Sequence, residues 1–138
     1  LGSHGDLMVP IPRLSTVSGR VITEILSSEQ IKAIVHKTRD GGAEIVGLLK
    51  TGSAYYAPGS AAARMVEAIV KDKKETISSC CYLNGEYGLT DLCLGVPTRL
   101  GKNGIEEIIE IDLTDEERSQ FIKAAEAVKS LLPLLGEK

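Results

Sequence analysis

The residues able to do chemistry in this sequence are few, and their spacing separates them: two histidines, His4 and His36, and three cysteines, Cys80, Cys81 and Cys93. His4 sits in Gly2-Ser3-His4-Gly5-Asp6, where small neighbours let backbone and ligand approach the imidazole closely. Asp6, two positions on, can fix loop geometry by hydrogen bonding. Imidazoles titrate near neutrality, so this setting suits proton transfer. Gly-Ser-His near a start is also the pattern of an expression scar, and residue types alone leave both readings open. His36 lies between Val35 and Lys37 on a predicted helix and reads as a surface residue.

The cysteines are odd in number and lack metal-ligand spacing, and Cys80 and Cys81 are too close to bridge easily. No metal site is expected, and a reducing compartment fits best. On a strand Cys81 would pack inward with Ile77 and Cys80 would face the other way, so a redox role is the lesser reading. Gly95 to Lys102 resembles a phosphate loop only superficially, since Asn103 stands where Ser or Thr must reach magnesium. Neither a G-x-G-x-x-G fingerprint nor a G-x-S-x-G elbow is present.

The elements that must position these residues follow from periodicity. Apolar residues between 7 and 17 suggest a strand plus turn. Ser27-Ser28-Glu29-Gln30 has capping-box spacing and should start a helix carrying Ile31, Ile34 and Val35. The pair Gly41-Gly42 costs about 2 kcal/mol against alanine in a helix interior, which predicts a kink or break there. Residues 50–58 resist a single assignment, although Pro58 suits a first helical turn. Ala62, Met65, Val66, Ile69 and Val70 form a second helical stripe ending near Asp72.

Period 2 then replaces period 3.6. Residues 76–83, 89–100 and 105–113 read as three strands in an antiparallel meander, joined by short links. In the third, Ile105, Ile109, Ile111 and Leu113 are expected on a buried face, opposite Glu106, Glu110 and Asp112. Thr114-Asp115-Glu116-Glu117 is a second capping box. It opens a helix with Phe121, Ala124, Ala125, Val128 and Leu132 on one face. Helices without alternating βαβ units predict an α+β domain, with helices packed on an antiparallel sheet.

Composition bounds the partners. The chain has 138 residues, the length of one domain, with 43% hydrophobic and 25% charged residues, enough to bury a core. Net charge is −3 without a block of like charges, and tryptophan is absent, which argues against nucleic acid. No apolar run is long enough for a membrane span and the N-terminus lacks a signal peptide's pattern, so a cytoplasmic protein is expected, with room for a targeting segment upstream.

The continuation after His4 decides between its two readings. Gly2-Ser3-His4-Gly5-Asp6-Leu7-Met8-Val9-Pro10 resembles the catalytic histidine motif of the NAD-dependent lactate and malate dehydrogenase family. Gly41-Gly42-Ala43-Glu44-Ile45-Val46 and Lys50-Thr51-Gly52-Ser53-Ala54-Tyr55-Tyr56-Ala57-Pro58 resemble the long helix and substrate-pocket segment of its lactate-dehydrogenase-like malate dehydrogenases. Tyr82-Leu83-Asn84-Gly85-Glu86-Tyr87-Gly88, Gly95-Val96-Pro97 and Leu100-Gly101-Lys102-Asn103-Gly104-Ile105-Glu106 follow in the family's order. The resemblance covers essentially the whole chain.

The resemblance implies that residues 1–138 are the C-terminal substrate-binding and catalytic domain, without the N-terminal Rossmann domain that binds NAD. His4 becomes the proton donor and acceptor for a small 2-hydroxy or 2-oxo acid. Ser53 and Ala54 fall where the family lines the substrate pocket, and Gly5 and Asp6 support the histidine loop. The histidine's carboxylate partner, the arginine that clamps the substrate and the specificity loop would all lie upstream. The isolated chain is therefore expected to be inactive, and the intact protein to be a malate dehydrogenase that forms homo-oligomers. The alternatives are an L-lactate dehydrogenase domain and a non-catalytic assembly module of the same fold.

Overall fold

A computed structural model describes residues 1–136. The chain begins with a loop that carries His4 and closes on itself, because Val9 N–H donates to the Leu1 carbonyl at 2.8 Å. A single 3-10 turn follows at Pro12–Leu14, then a minimal hairpin of β1 (Thr16–Val17) and β2 (Arg20–Val21). Its two-residue turn uses Ser18 and Gly19, both at positive φ, as a tight hairpin with right-handed strand twist requires. The strand expected over residues 7–17 is therefore absent. Pro10 and Pro12 remove ladder donors, and only residues 16 and 17 pair.

Helix α1 spans Ser28–Leu49, and its capping box is complete: the Ser27 hydroxyl accepts from Gln30 N–H and the Gln30 side chain accepts from Ser27 N–H. It runs unbroken through Gly41 and Gly42, contrary to the expected interruption. Each glycine replaces one helix-forming residue, and thirteen residues of helix on one side and seven on the other carry the ladder across. After a loop, α2 (Tyr56–Val70) begins six residues before Ala62, the first residue of the expected stripe, with Pro58 in its first turn. Ala68 is wholly buried there, and Arg64 pairs with Glu75.

Strands β3 (Glu75–Asn84), β4 (Thr90–Gly101) and β5 (Gly104–Ile108) form the expected meander in the order β3-β4-β5. Cys81, Leu83, Leu92, Leu94 and Val96 share the buried face and meet Phe121 and Ala125 of α3 (Asp115–Lys129), whose capping box is also complete. Tyr87 enters the same cluster with its ring 5.1 Å from Phe121, and its hydroxyl donates to the Ile109 carbonyl.

The third strand departs from expectation. It stops at Ile108, and Ile105 is exposed while Glu106 is half-buried. Arg99 pairs with Glu107 but Leu100 with Ile105, so Glu106 is an extra residue in a bulge, and within β5 Glu106 and Ile108 turn inward while Ile105 and Glu107 face out. Its carboxylate takes the Lys74 ammonium at 2.5 Å and occupies the space a side chain at Gly101 would fill, 2.6 Å from where that Cβ would stand. Leu132 likewise leaves the α3 face and falls in a terminal 3-10 turn, Leu132–Leu135. Among the described residues no helix is long and apolar enough to cross a membrane.

Candidate active site

Gly95 lies in the middle of β4, opposite Cys80 of β3, on the stretch of β4 that β5 does not reach. Its N–H and C=O both go to Gly2, at 2.9 Å each, so Gly2 takes the vacant edge of the central strand. Two glycines make this approach possible. A Cβ at Gly95 would stand 2.9 Å from the Gly2 carbonyl oxygen, and one at Gly2, where φ is +87°, would stand 3.0 Å from the Ala124 Cβ. His4 is thus two residues from a rigid anchor on the sheet.

Beyond His4 the loop turns at Gly5, φ +109°, where the carbonyl accepts from Met8 N–H at 2.8 Å. Asp6 is exposed in this turn and holds no partner among the described residues, so the loop is set by its backbone and not by that carboxylate. Outside the loop, Arg39 of α1 donates to the Met8 carbonyl at 2.8 Å and to Gln120 Oε1 of α3 at 3.1 Å.

The His4 imidazole is exposed and opens on a cleft of about 430 Å³. Ser3, Met8, Ser78, Cys80, Cys93 and Val128 are among its walls. Its lining is mostly apolar and contains no lysine or arginine, and His4 is its one imidazole. Other arginines near the loop are committed: Arg13 holds Glu117 at 2.7 Å and the Asp112 carbonyl. Cys80 and Cys93 share the exposed face of the sheet, and all three cysteines are free. Burial pushes the Cys80 and Cys81 thiols up, which favours their protonated form. Among the described residues no cluster could hold a metal ion.

Ser53 and Ala54 stand in the loop between α1 and α2 and do not line this cleft. His36 is on the surface of α1, its Nδ1 2.5 Å from Asp40. Residues not singled out from the sequence for the loop are Gly95 and Arg39. A glycine inside a strand is a signal for close backbone approach, whereas nothing local marks Arg39.

A glycine-anchored histidine at the mouth of an apolar cleft, on an α+β domain, is an arrangement able to give and take a proton. Comparison with known proteins places it: residues 1–134 match the lactate/malate dehydrogenase, alpha/beta C-terminal domain. The chain belongs to the lactate/malate dehydrogenase family, as its C-terminal domain. It is 54% identical over 99% of its length to a malate dehydrogenase of Roseiflexus castenholzii, of which it covers 44%. It superposes on the malate dehydrogenase of Salinibacter ruber with a TM-score of 0.93 and 48% identity, over 97% of this chain and 44% of that one. The lactate dehydrogenase of Eimeria maxima, solved with NADH and oxamate, gives 0.92 and 42%, over 97% and 43%. The chain spans less than half the length of these relatives.

Proposed function

We propose that this chain is the catalytic C-terminal domain of an NAD-dependent malate dehydrogenase, interconverting malate and oxaloacetate, with His4 as the residue that takes and gives the substrate proton. The observation that carries the reading is the exposed His4 imidazole, fixed by the Gly2–Gly95 bridge at the mouth of the cleft, in a chain 54% identical to malate dehydrogenases.

The described residues do not fit a dinucleotide cradle. Residues 22–27 join β2 to α1 and residues 109–114 join β5 to α3, and neither connection contains a glycine. NAD would be held by an N-terminal Rossmann domain, and the hydride half of the reaction belongs there. What this chain supplies is the proton. In oxidation the neutral imidazole accepts the hydroxyl proton of the 2-hydroxy acid, and in reduction the imidazolium donates it to the carbonyl oxygen. Once the N-terminal domain covers the exposed imidazole, the apolar walls of the cleft keep that transfer away from water and strengthen its electrostatics. A cleft without lysine or arginine cannot grip two carboxylates. The cations for substrate must come from outside this chain, while Ser53 and Ala54 border the pocket once it is closed and Gly5 and Asp6 shape the loop. The isolated chain is then inactive, and the exposed apolar residues of α1 are covered by the Rossmann domain and by other copies of a cytoplasmic homo-oligomer.

The test is NADH oxidation by the full-length protein with oxaloacetate and with pyruvate. Oxaloacetate is expected to be turned over faster, and His4→Gln to lower kcat by about 10²- to 10⁴-fold. Preference for pyruvate would make it a lactate dehydrogenase. Full activity in His4→Gln would leave only a scaffold role, and turnover by the 138-residue chain alone would refute the division of labour.

A further inference from the structure

The His4 loop is anchored twice. One anchor is the Gly2–Gly95 bridge on the N-terminal side of His4. The other lies on its C-terminal side, where the Met8 carbonyl points out of the Gly5–Met8 turn and is taken by a side chain 31 residues away. That side chain, the half-buried Arg39, uses Nε on Met8 at 2.8 Å and Nη2 on Gln120 Oε1 at 3.1 Å. Gln120 in turn donates from Nε2 to Glu116 Oε1 at 3.3 Å, on the first turns of α3. One guanidinium therefore joins the catalytic loop to two helices. A planar fork of fixed donors sets these two acceptors in a defined geometry that a rotatable ammonium does not impose.

We propose that Arg39 is a positioning residue for His4: it holds the C-terminal half of the histidine loop in register with α1 and α3, and through α1 with the segment carrying Ser53 and Ala54. The inference rests on the proposed function. Arg39 itself touches no substrate, since both of its bonded edges are spent within the protein. Its effect falls on the height of the proton-transfer barrier, through the placement of the imidazole, and so on kcat more than on KM.

The experiment combines kinetics with amide hydrogen exchange by mass spectrometry on the full-length protein. In Arg39→Ala, exchange over residues 5–9 is expected to quicken by about ten-fold, with the β3 and β4 peptides unchanged. The kcat with oxaloacetate should fall by about ten-fold, with KM moving less than about two-fold. Arg39→Lys, which can still reach Met8, should recover part of both losses. Lys37→Ala, on the exposed side of the same helix, should change neither. If Arg39→Ala does not fold, Gln120→Ala removes only the second bond and should show the same pattern at smaller size. Unchanged loop exchange in a folded Arg39→Ala protein, or faster exchange spread evenly over the sheet, would overturn the proposal. If the wild-type protein lacks oxaloacetate-dependent NADH oxidation, the proposed function fails, and the exchange measurement still decides whether Arg39 holds the loop.

Discussion

Helices α1 and α3 start with the same device and end in opposite situations. Each opens with a complete capping box, Ser27 with Gln30 and Thr114 with Glu117. Over 15 residues α3 buries Phe121, Ala124 and Ala125 against the sheet, whereas α1, with 22 residues, buries none. Ile34, Ile45, Val46, Leu48 and Leu49 of α1 stay exposed, Leu48 at 76%. Local sequence can start a helix, but only a partner surface gives its apolar stripe somewhere to go. The sheet and α3 form the self-sufficient part of this chain. By contrast α1 is tied to the rest by polar contacts such as Arg39, as befits a chain spanning under half the length of its relatives.

The comparison can be broken at its strongest point first. Phe121→Ala, which empties the centre of the α3–sheet contact, should cost about 3 to 5 kcal/mol in urea unfolding of the 138-residue chain. A loss below 1 kcal/mol would mean that α3 is no more essential than α1. The reverse change sharpens the contrast: Gly41→Ala with Gly42→Ala should stabilise the chain by about 2 kcal/mol, because open space surrounds both positions. No stabilisation would show that α1 does not form independently of a partner.

The smallest effect concerns the charge on the α3 cap. Arg13 donates Nε to Glu117 Oε1 at 2.9 Å and Nη2 to Oε2 at 2.7 Å, and this pairing, ahead of the Thr114 bonds, holds the Glu117 carboxyl below the usual value of 4.5. A lowered folded pKa means that its stabilisation is complete above about pH 4.5 and is lost as pH falls through the lower, folded value. Glu117→Gln keeps a capping-box residue and removes the charge. It should cost about 1 kcal/mol at pH 7, and the difference from wild type should vanish in acid. A difference independent of pH in chemical denaturation would show that the cap's geometry, not its charge, is what α3 uses.

Much of the site was legible because it is local. Gly2-Ser3-His4-Gly5-Asp6 marks a glycine-flanked imidazole, and the structure finds it exposed beside a cleft. The anchors were not legible in the same way. Gly95 is 93 positions from Gly2 and Arg39 is 31 from Met8, and neither spacing belongs to any helix or strand period. The misread start of the third strand has the same root, since the bulge at Glu106 is set by pairing with β4, while Ile109, Ile111 and Leu113 beyond it stay half-buried opposite Glu110 and Asp112.

By itself the sequence determined the two capping boxes, the meander, the family and the glycine-flanked loop that carries His4. These depend on hydrogen bonds three residues apart, on alternation of period 2, or on contiguous motifs, all of which are written along the chain. Tertiary structure alone decided that Gly2 completes the edge of β4, that Arg39 grips the loop, and that α1 passes unbroken through two glycines with its apolar side uncovered. Those outcomes depend on which surfaces meet in space, and the free energy of burial and of long-range hydrogen bonds is assigned only when they do.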